Sequence, residues 1–262
     1  MCACSFSHGT VPGDGQPDAR PIDGPVDMPI DGPGRVDLGL LALYRFGEGS
    51  GGTVDDTAGV STPVDLTIAD PSKVAWGQGM LTITMPVVIA SPAGDKCRIA
   101  TACIASGGVT VEAWVIAAEA IEDGQSGQFA RVVTMSINAG ARNFAVGQMH
   151  SAWAAQLAND NSGVDGQGSP ILSGGTVVTT TTQLVVTGDA STRKLYVDGV
   201  LVANDGLGGP LGDWNSNYRL AFGSEPSLSN PWTGSLLLVA IYDRALSDAE
   251  IATNFALGPA AP

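Results

Sequence analysis

The chain has 262 residues with only 15% charged, 44% hydrophobic, 35 Gly, 16 Pro and a formal net charge of −14. That charge argues against nucleic acid as a partner, because phosphate binding needs clustered Lys and Arg, and no stretch of about 18 apolar residues offers a membrane-spanning helix. So many turn formers beside ample apolar content describe one turn-rich all-β domain carrying a tail.

Met1 to Asp37 is different material from the rest. It repeats Pro-Ile-Asp-Gly-Pro at Pro21–Pro25 and Pro29–Pro33, and few of its residues can be buried. It is expected to be a disordered tether, residues 1–37, ahead of a folded domain, residues 38–262. Met1-Cys2-Ala3-Cys4-Ser5 resembles the mature end of a bacterial lipoprotein, which implies lipid on Cys4. That reading needs an apolar leader upstream of Met1; without one, Cys2 and Cys4 are incidental.

Leu38 to Phe46 reads as the first strand and Gly47 to Gly52 as a glycine-rich turn, which lacks the Lys of a phosphate loop. Val64 to Ile68 and Leu81 to Met85 alternate apolar and polar residues, as half-buried strands do. Asp95 to Ala105 has helical spacing of Cys97, Ile99, Ala100, Cys103 and Ile104. In a helix Cys97 and Cys103 are too distant to bridge; in a loop, in an exporting compartment, they pair. Val109 to Ala117 is a core strand with Trp114 as its large filler. Arg131 to Ile137 and Asn143 to Met149 flank a turn, and Trp153 to Leu157 alternates again. Asn159 to Ser169 is an Asn-, Gly- and Ser-rich loop.

Thr176 to Thr187 favours strand through β-branching. Asp198-Gly199 joins Leu195–Val197 to Val200–Val202, a strong two-residue hairpin signal. With Arg219 to Gly223 and the apolar run Leu236 to Tyr242, about twelve strands are expected, as in a sandwich. After that run, Ser247 and Glu250 form a capping box with Leu246 and Ile251 as its hydrophobic staple, and Gly258-Pro259 stops the helix.

The closing segment Leu236 to Ile251 resembles that of laminin-G-like, concanavalin A-like jelly-roll domains of bacterial surface proteins. Leu41–Gly59, Thr110–Val115 and Lys194–Ala203 agree, in the family's order. Ala130–Gln148 and Trp214–Glu225 are similar to a subgroup of such domains. The resemblance implies an all-β concanavalin A-like β-sandwich, a jelly roll with one or two short helices, in a recognition protein that is not an enzyme.

The residues fit that expectation. His150 is the domain's one histidine and no Gly-x-Ser-x-Gly elbow accompanies it, so no catalytic residue is assigned. Glucanases of this fold carry a Glu-x-Asp-x-Glu strand, and retaining hydrolysis needs two carboxyls about 5 Å apart. Only Glu119, Glu122 and Asp123 cluster here, around a turn. No cofactor is expected beyond the structural calcium that many relatives hold, for which Asp55, Asp56 and Glu225 are the remaining oxygen ligands. A sugar face calls for aromatics and planar polar groups, so Trp214, Tyr218, Trp232, Arg142, Asn143 and Gln148 are the ligand-binding candidates. The expected partner is a glycan or a surface protein, outside the cytoplasm, at the cell surface or secreted. A structural envelope spacer is the alternative, and a glycoside hydrolase or polysaccharide lyase the third.

Overall fold

The structure is a computed structural model that describes residues 34–93, 97–125, 127–163 and 166–260. Cys4, the Pro-Ile-Asp-Gly-Pro repeats and the expected helix start at Asp95 lie outside the described residues.

In chain order the strands begin with β1 (Leu40–Tyr44), β2 (Thr53–Val54), β3 (Leu66–Ile68), β4 (Val74–Gly77), β5 (Met80–Ile83) and β6 (Ile89–Ala90). After helix α1 (Arg98–Ser106) come β7 (Val109–Ala117), β8 (Ala130–Asn138), β9 (Ala141–Met149), β10 (Ala152–Leu157) and β11 (Leu172–Gly174). Then follow β12 (Thr182–Gly188), β13 (Arg193–Val197), β14 (Val200–Asp205), β15 (Arg219–Phe222), β16 (Gly234–Tyr242) and helix α2 (Asp248–Leu257). They build two antiparallel eight-stranded sheets. The first runs β14-β13-β12-β7-β16-β5-β4 with β1 also on β16; the second runs β11-β10-β9-β8-β15-β6-β3-β2.

The main core lies between the sheets, where Val111, Ala113, Val239 and Ile241 of the first meet Val133, Met135, Phe144 and Phe222 of the second. Strand β16 is buried on both faces. Leu236, Val239 and Ile241 point into the main core, while Leu238, Ala240 and Tyr242 point into a second cluster under α2. A bulge between Leu236 and Leu238 shifts the alternation by one residue, which lets Leu236 and Val239 share a face.

Helix α2 is placed by its start. Ser247 accepts from the Glu250 N–H and Glu250 reaches back to the Ser247 N–H, while Leu246 and Ile251 are both buried in the second cluster. Burying a side chain such as Ile251 is worth about 1.5–3 kcal/mol. Trp114 belongs to this layer and not to the space between the sheets. Its ring stacks on Phe255 at 5.8 Å and 7°. Asp198 (φ 50°) and Gly199 (φ 74°) form the two-residue β13–β14 turn.

One boundary and one pairing differ from the sequence reading. Arg35 and Val36 are part of the fold and not of the tether: Arg35 is ion-paired with Glu112, and the Val36 N–H donates to Asn254 Oδ1 at 3.0 Å. Cys97 and Cys103 are free thiols, not a disulfide. Cys97 is the residue before α1 and Cys103 lies inside it, so the helical rise separates them. Burial pushes both thiols above their ordinary pKa.

Candidate functional site

Strand register gathers the long loops at one end of the sandwich. In the first sheet Thr110 pairs with Tyr242, Val109 with Gly188, and Arg193 with both Gly188 and Asp205. In the second, Ser136 stands beside Arg219 and Arg142, and Leu157 beside Phe144. The loops that follow these residues meet one another. Asn143 Nδ2 donates to Asn215 O at 3.0 Å, the Asp160 N–H donates to Pro210 O at 2.9 Å, and the Cys97 N–H donates to Ser216 O at 2.6 Å.

The six residues proposed for ligand binding divide between the two ends. Arg142, Asn143, Trp214 and Tyr218 lie at this loop end, but beneath its surface. Trp214 is 4% exposed, donates from its indole to Ala158 O at 2.8 Å and packs on Phe144. Tyr218 is buried in the main core, and Asn143 also accepts from the Asn215 N–H at 2.8 Å. These groups hold the loops up; their rings are no platform for a sugar. Gln148 and Trp232 are fully buried at the opposite end, where the Trp232 indole donates to Gln148 Oε1 at 3.3 Å and Gln148 Nε2 donates to Glu119 O at 3.1 Å.

Two clefts open among the loops of the first end. The larger, about 440 Å³, is lined by Thr62, Val64, Asp65, Ser91, Cys97 and Arg98 among others. The smaller, about 300 Å³, is lined by Asn159, Asn161, Ser162, Arg193 and Leu207. The wall of the larger cleft is tied together by hydrogen bonds. Arg98 donates to Thr62 O at 2.6 Å, Leu41 O at 2.7 Å and Asp56 Oδ2 at 2.7 Å. Asp65 accepts from the Asp56 N–H at 2.9 Å through Oδ1. Asp65, Ser91 and Arg98 were not singled out from the sequence. Each is an ordinary residue beside a strand end, and only the convergence of three segments gives them a shared cleft.

The calcium candidates are not assembled. Asp56 is buried with both oxygens hydrogen-bonded, Glu225 is buried against Arg131 at 2.7 Å, and Asp55 is exposed. The oxygens of Asp56 and Glu225 are already taken by protein donors, and the three carboxylates form no common cluster, so they do not make a calcium cage. Among the described residues no group of three or more His, Cys, Asp and Glu side chains could hold a metal.

At the opposite end Asp123 grips His150 twice, through the backbone N–H at 2.8 Å and through Nδ1 at 2.7 Å, and holds it at φ 53°. Burial raises the neighbouring Glu122 carboxyl, partly offset by hydrogen bonds from Thr233.

Two packed antiparallel sheets with a helix capping the closing strand define a lectin-like β-sandwich. The chain belongs to the concanavalin A-like lectin/glucanases superfamily, in its laminin G branch, whose family model matches residues 91–252. Among solved structures it is similar to a Trypanosoma rangeli sialidase in complex with 2,3-difluorosialic acid, with TM-score 0.61 and 17% identity, covering 83% of this chain and 33% of the sialidase. It is also similar to the binding domain of botulinum neurotoxin DC in complex with rat synaptotagmin II, with TM-score 0.57 and 11% identity, covering 84% of this chain and 52% of that one. A third is a botulinum neurotoxin type C structure titled for cell entry through two ganglioside molecules, with TM-score 0.58 and 10% identity, covering 83% and 51%. The chain thus spans about a third of the sialidase and half of the toxin chains it matches. No curated protein matches it.

These likenesses show the fold. They also overturn the expectation that the chain is not an enzyme, since sialidases stand first among the structures sharing its sandwich.

Proposed function

We propose that this chain is a glycan-recognition module acting outside the cytoplasm at the cell envelope. The observation that carries the reading is the cleft of about 440 Å³ at the loop end. It joins hydroxyls of Ser61, Thr62 and Ser91 and the carboxylate of Asp65 with the apolar walls of Pro63, Val64 and Pro92, a mixture suited to the two faces of a sugar ring. The fold supports it as well: among structures sharing the sandwich, one is titled for a complex with sialic acid and another for cell entry that depends on interaction with two ganglioside molecules.

Binding to an array of neutral and acidic oligosaccharides tests it. The full chain should retain a subset, and Asp65→Asn should weaken that subset at least about tenfold, the scale of one lost charge-assisted hydrogen bond. Retention of no glycan would end this reading. A protein partner is the second reading, favoured by the exposed apolar side chains of Val200, Leu201 and Phe255, where β14 adjoins α2.

A further inference from the structure

The two clefts of the loop end share one piece of chain. The loop 206–218, between β14 and β15, begins on the wall of the smaller cleft, which Gly206, Leu207 and Gly208 line. Further along, the Ser216 carbonyl accepts from the Cys97 N–H at 2.6 Å, and Cys97 lines the larger cleft. Between these points the loop is pinned from below. Leu211 and Trp214 are buried, the Trp214 indole donates to Ala158 O, and Asn143 and Asn215 exchange two hydrogen bonds. Its upper side is open, with Pro210, Gly212, Asp213 and Asn217 exposed. The loop is thus a ridge with a cleft at either end.

The clefts are close enough for one ligand. Hydrogen bonds and chain bonds lead from Cys97 to Ser216 and Asn215, on to Asn143 and Ala158, and so to Asn159 on the smaller cleft. Each step moves the backbone about 4–7 Å, so about 25 Å at most separates the two walls.

The smaller cleft repeats the mixed lining of the larger. Asn159 and Asn161 tie its walls together, donating to Leu207 O at 2.7 Å and Gly208 O at 3.3 Å. The Asn161 amide is exposed, and Leu207 and Pro170 are exposed apolar surface beside it. Planar polar groups next to an apolar wall suit the edge and the face of a sugar ring. The charges argue against an anionic chain. Arg98 is spent on Asp56 at 2.7 Å and Arg193 on Asp205 at 2.5 Å. Asp65 on the larger cleft, with Asp160 and Asp213 on the ridge, is exposed and in no ion pair among the described residues. With a net charge of −14 behind them, these carboxylates repel uronates and sulfated sugars.

We propose that the smaller cleft is a second subsite of the glycan site, so that one uncharged oligosaccharide lies across the 206–218 ridge with sugars in both clefts. The proposal rests on the glycan reading of the larger cleft and adds the substrate class, a neutral chain of several sugars and not a single terminal sugar. Two weak contacts made by one chain reinforce each other, since the second forms at the effective concentration set by the first.

The test uses the full chain and calorimetric titration with four neutral ladders, cello-, malto-, xylo- and manno-oligosaccharides, each from disaccharide to octasaccharide. For at least one ladder the affinity should rise by about tenfold or more once the chain is long enough to reach both clefts. Gly206→Trp fills the smaller cleft at a position where an added Cβ meets nothing within 4 Å, and it should reduce the long chain's affinity to that of the short ones. Leu207→Ser removes the apolar wall of the same cleft and should act in the same direction, which keeps the test open if Gly206→Trp does not fold. Asp65→Asn, on the larger cleft, should weaken every length alike.

Affinity that does not change with length, or a gain with length that both Gly206→Trp and Leu207→Ser leave intact, overturns the second subsite and leaves the glycan reading in place. Binding of no ladder also overturns it, while retention of any other sugar on the array keeps the glycan reading. Tighter binding of a galacturonic acid hexamer than of every neutral hexasaccharide contradicts the assignment of an uncharged chain.

Discussion

Arg35 and Glu112 stand 77 positions apart and meet at 2.7 Å with side chains 3% and 0% exposed. Glu112 Oε1 also accepts from the Trp114 indole and Gln183 Nε2, each at 2.8 Å, and Oε2 accepts from Asn254 Nδ2 at 2.8 Å. One carboxylate thus ties the N-terminal segment, two strands of the first sheet and α2 together. Removing one partner of a buried ion pair leaves the other charge stranded.

Arg35→Ala is therefore expected to destabilise the domain by about 3–5 kcal/mol, read from urea denaturation at neutral pH. Adding Glu112→Gln should return part of that loss, because the neutral amide no longer strands a charge. An Arg35→Ala protein as stable as wild type would show that the four-way contact holds without its cation.

Glu250 predicts a pH dependence. The Arg244 guanidinium at 2.6 Å, then the Ser247 backbone N–H, hold its carboxyl at about 2 against an ordinary 4.5. A carboxylate with a lowered pKa stabilises the fold in full above its ordinary value, and that contribution is lost as pH falls through 4.5 toward 2. The Glu250→Gln variant should melt about 2–4 °C lower at pH 7, from about 1 kcal/mol of capping. The two melting curves should converge on acidification toward pH 2, and parallel pH profiles would remove the assignment.

Gly147 sits on the outward face of the second sheet, opposite Arg131. A Cβ there would stand 1.7 Å from Ala130 O, a backbone atom that cannot move aside. The Gly147→Ala change should cost about 3 kcal/mol or more by overpacking. Gly47, where an added Cβ meets nothing within 4 Å, gives the control, with Gly47→Ala expected within about 0.5 kcal/mol of wild type. Equal chemical denaturation midpoints for the two variants would contradict the close approach of β8 and β9.

The fold was legible where local rules and tertiary packing agree. The run Leu236–Tyr242, the Asp198-Gly199 turn and the Ser247–Glu250 capping box each carry their signal within a few residues. Trp214 and Trp232 were misread for the opposite reason. They lie in polar loops, and loop composition suggests exposure, yet each indole finds its acceptor 56 or 84 positions away and is buried by it. Arg35 was assigned to a tether because Pro, Asp and Gly surround it, while its partner lies across the fold. The bulge at Leu236 was equally invisible, since an unbroken apolar run has no alternation to break. The cleft beside Asp65 and Ser91 has no sequence signature: it exists because three separate segments end at one edge.

Asp56 separates an internal hydrogen-bond hub from a metal ligand. Its Oδ1 accepts from the N–H groups of Leu43 at 3.0 Å and Ala58 at 3.1 Å, and its Oδ2 from Val64 N–H at 3.0 Å and Arg98 at 2.7 Å. Its side chain is 1% exposed. Those four donors fill the lone-pair directions a calcium ion would need. Asp56→Asn keeps one acceptor oxygen but turns an NH₂ group toward existing donors and strands the Arg98 charge, so a loss of about 3–5 kcal/mol is expected. Millimolar calcium should leave the melting temperature of both wild type and Asp56→Asn unchanged. A calcium-induced rise in the wild type that Asp56→Asn abolishes would make Asp56 a ligand after all, and would require Arg98 to leave the carboxylate when the ion binds.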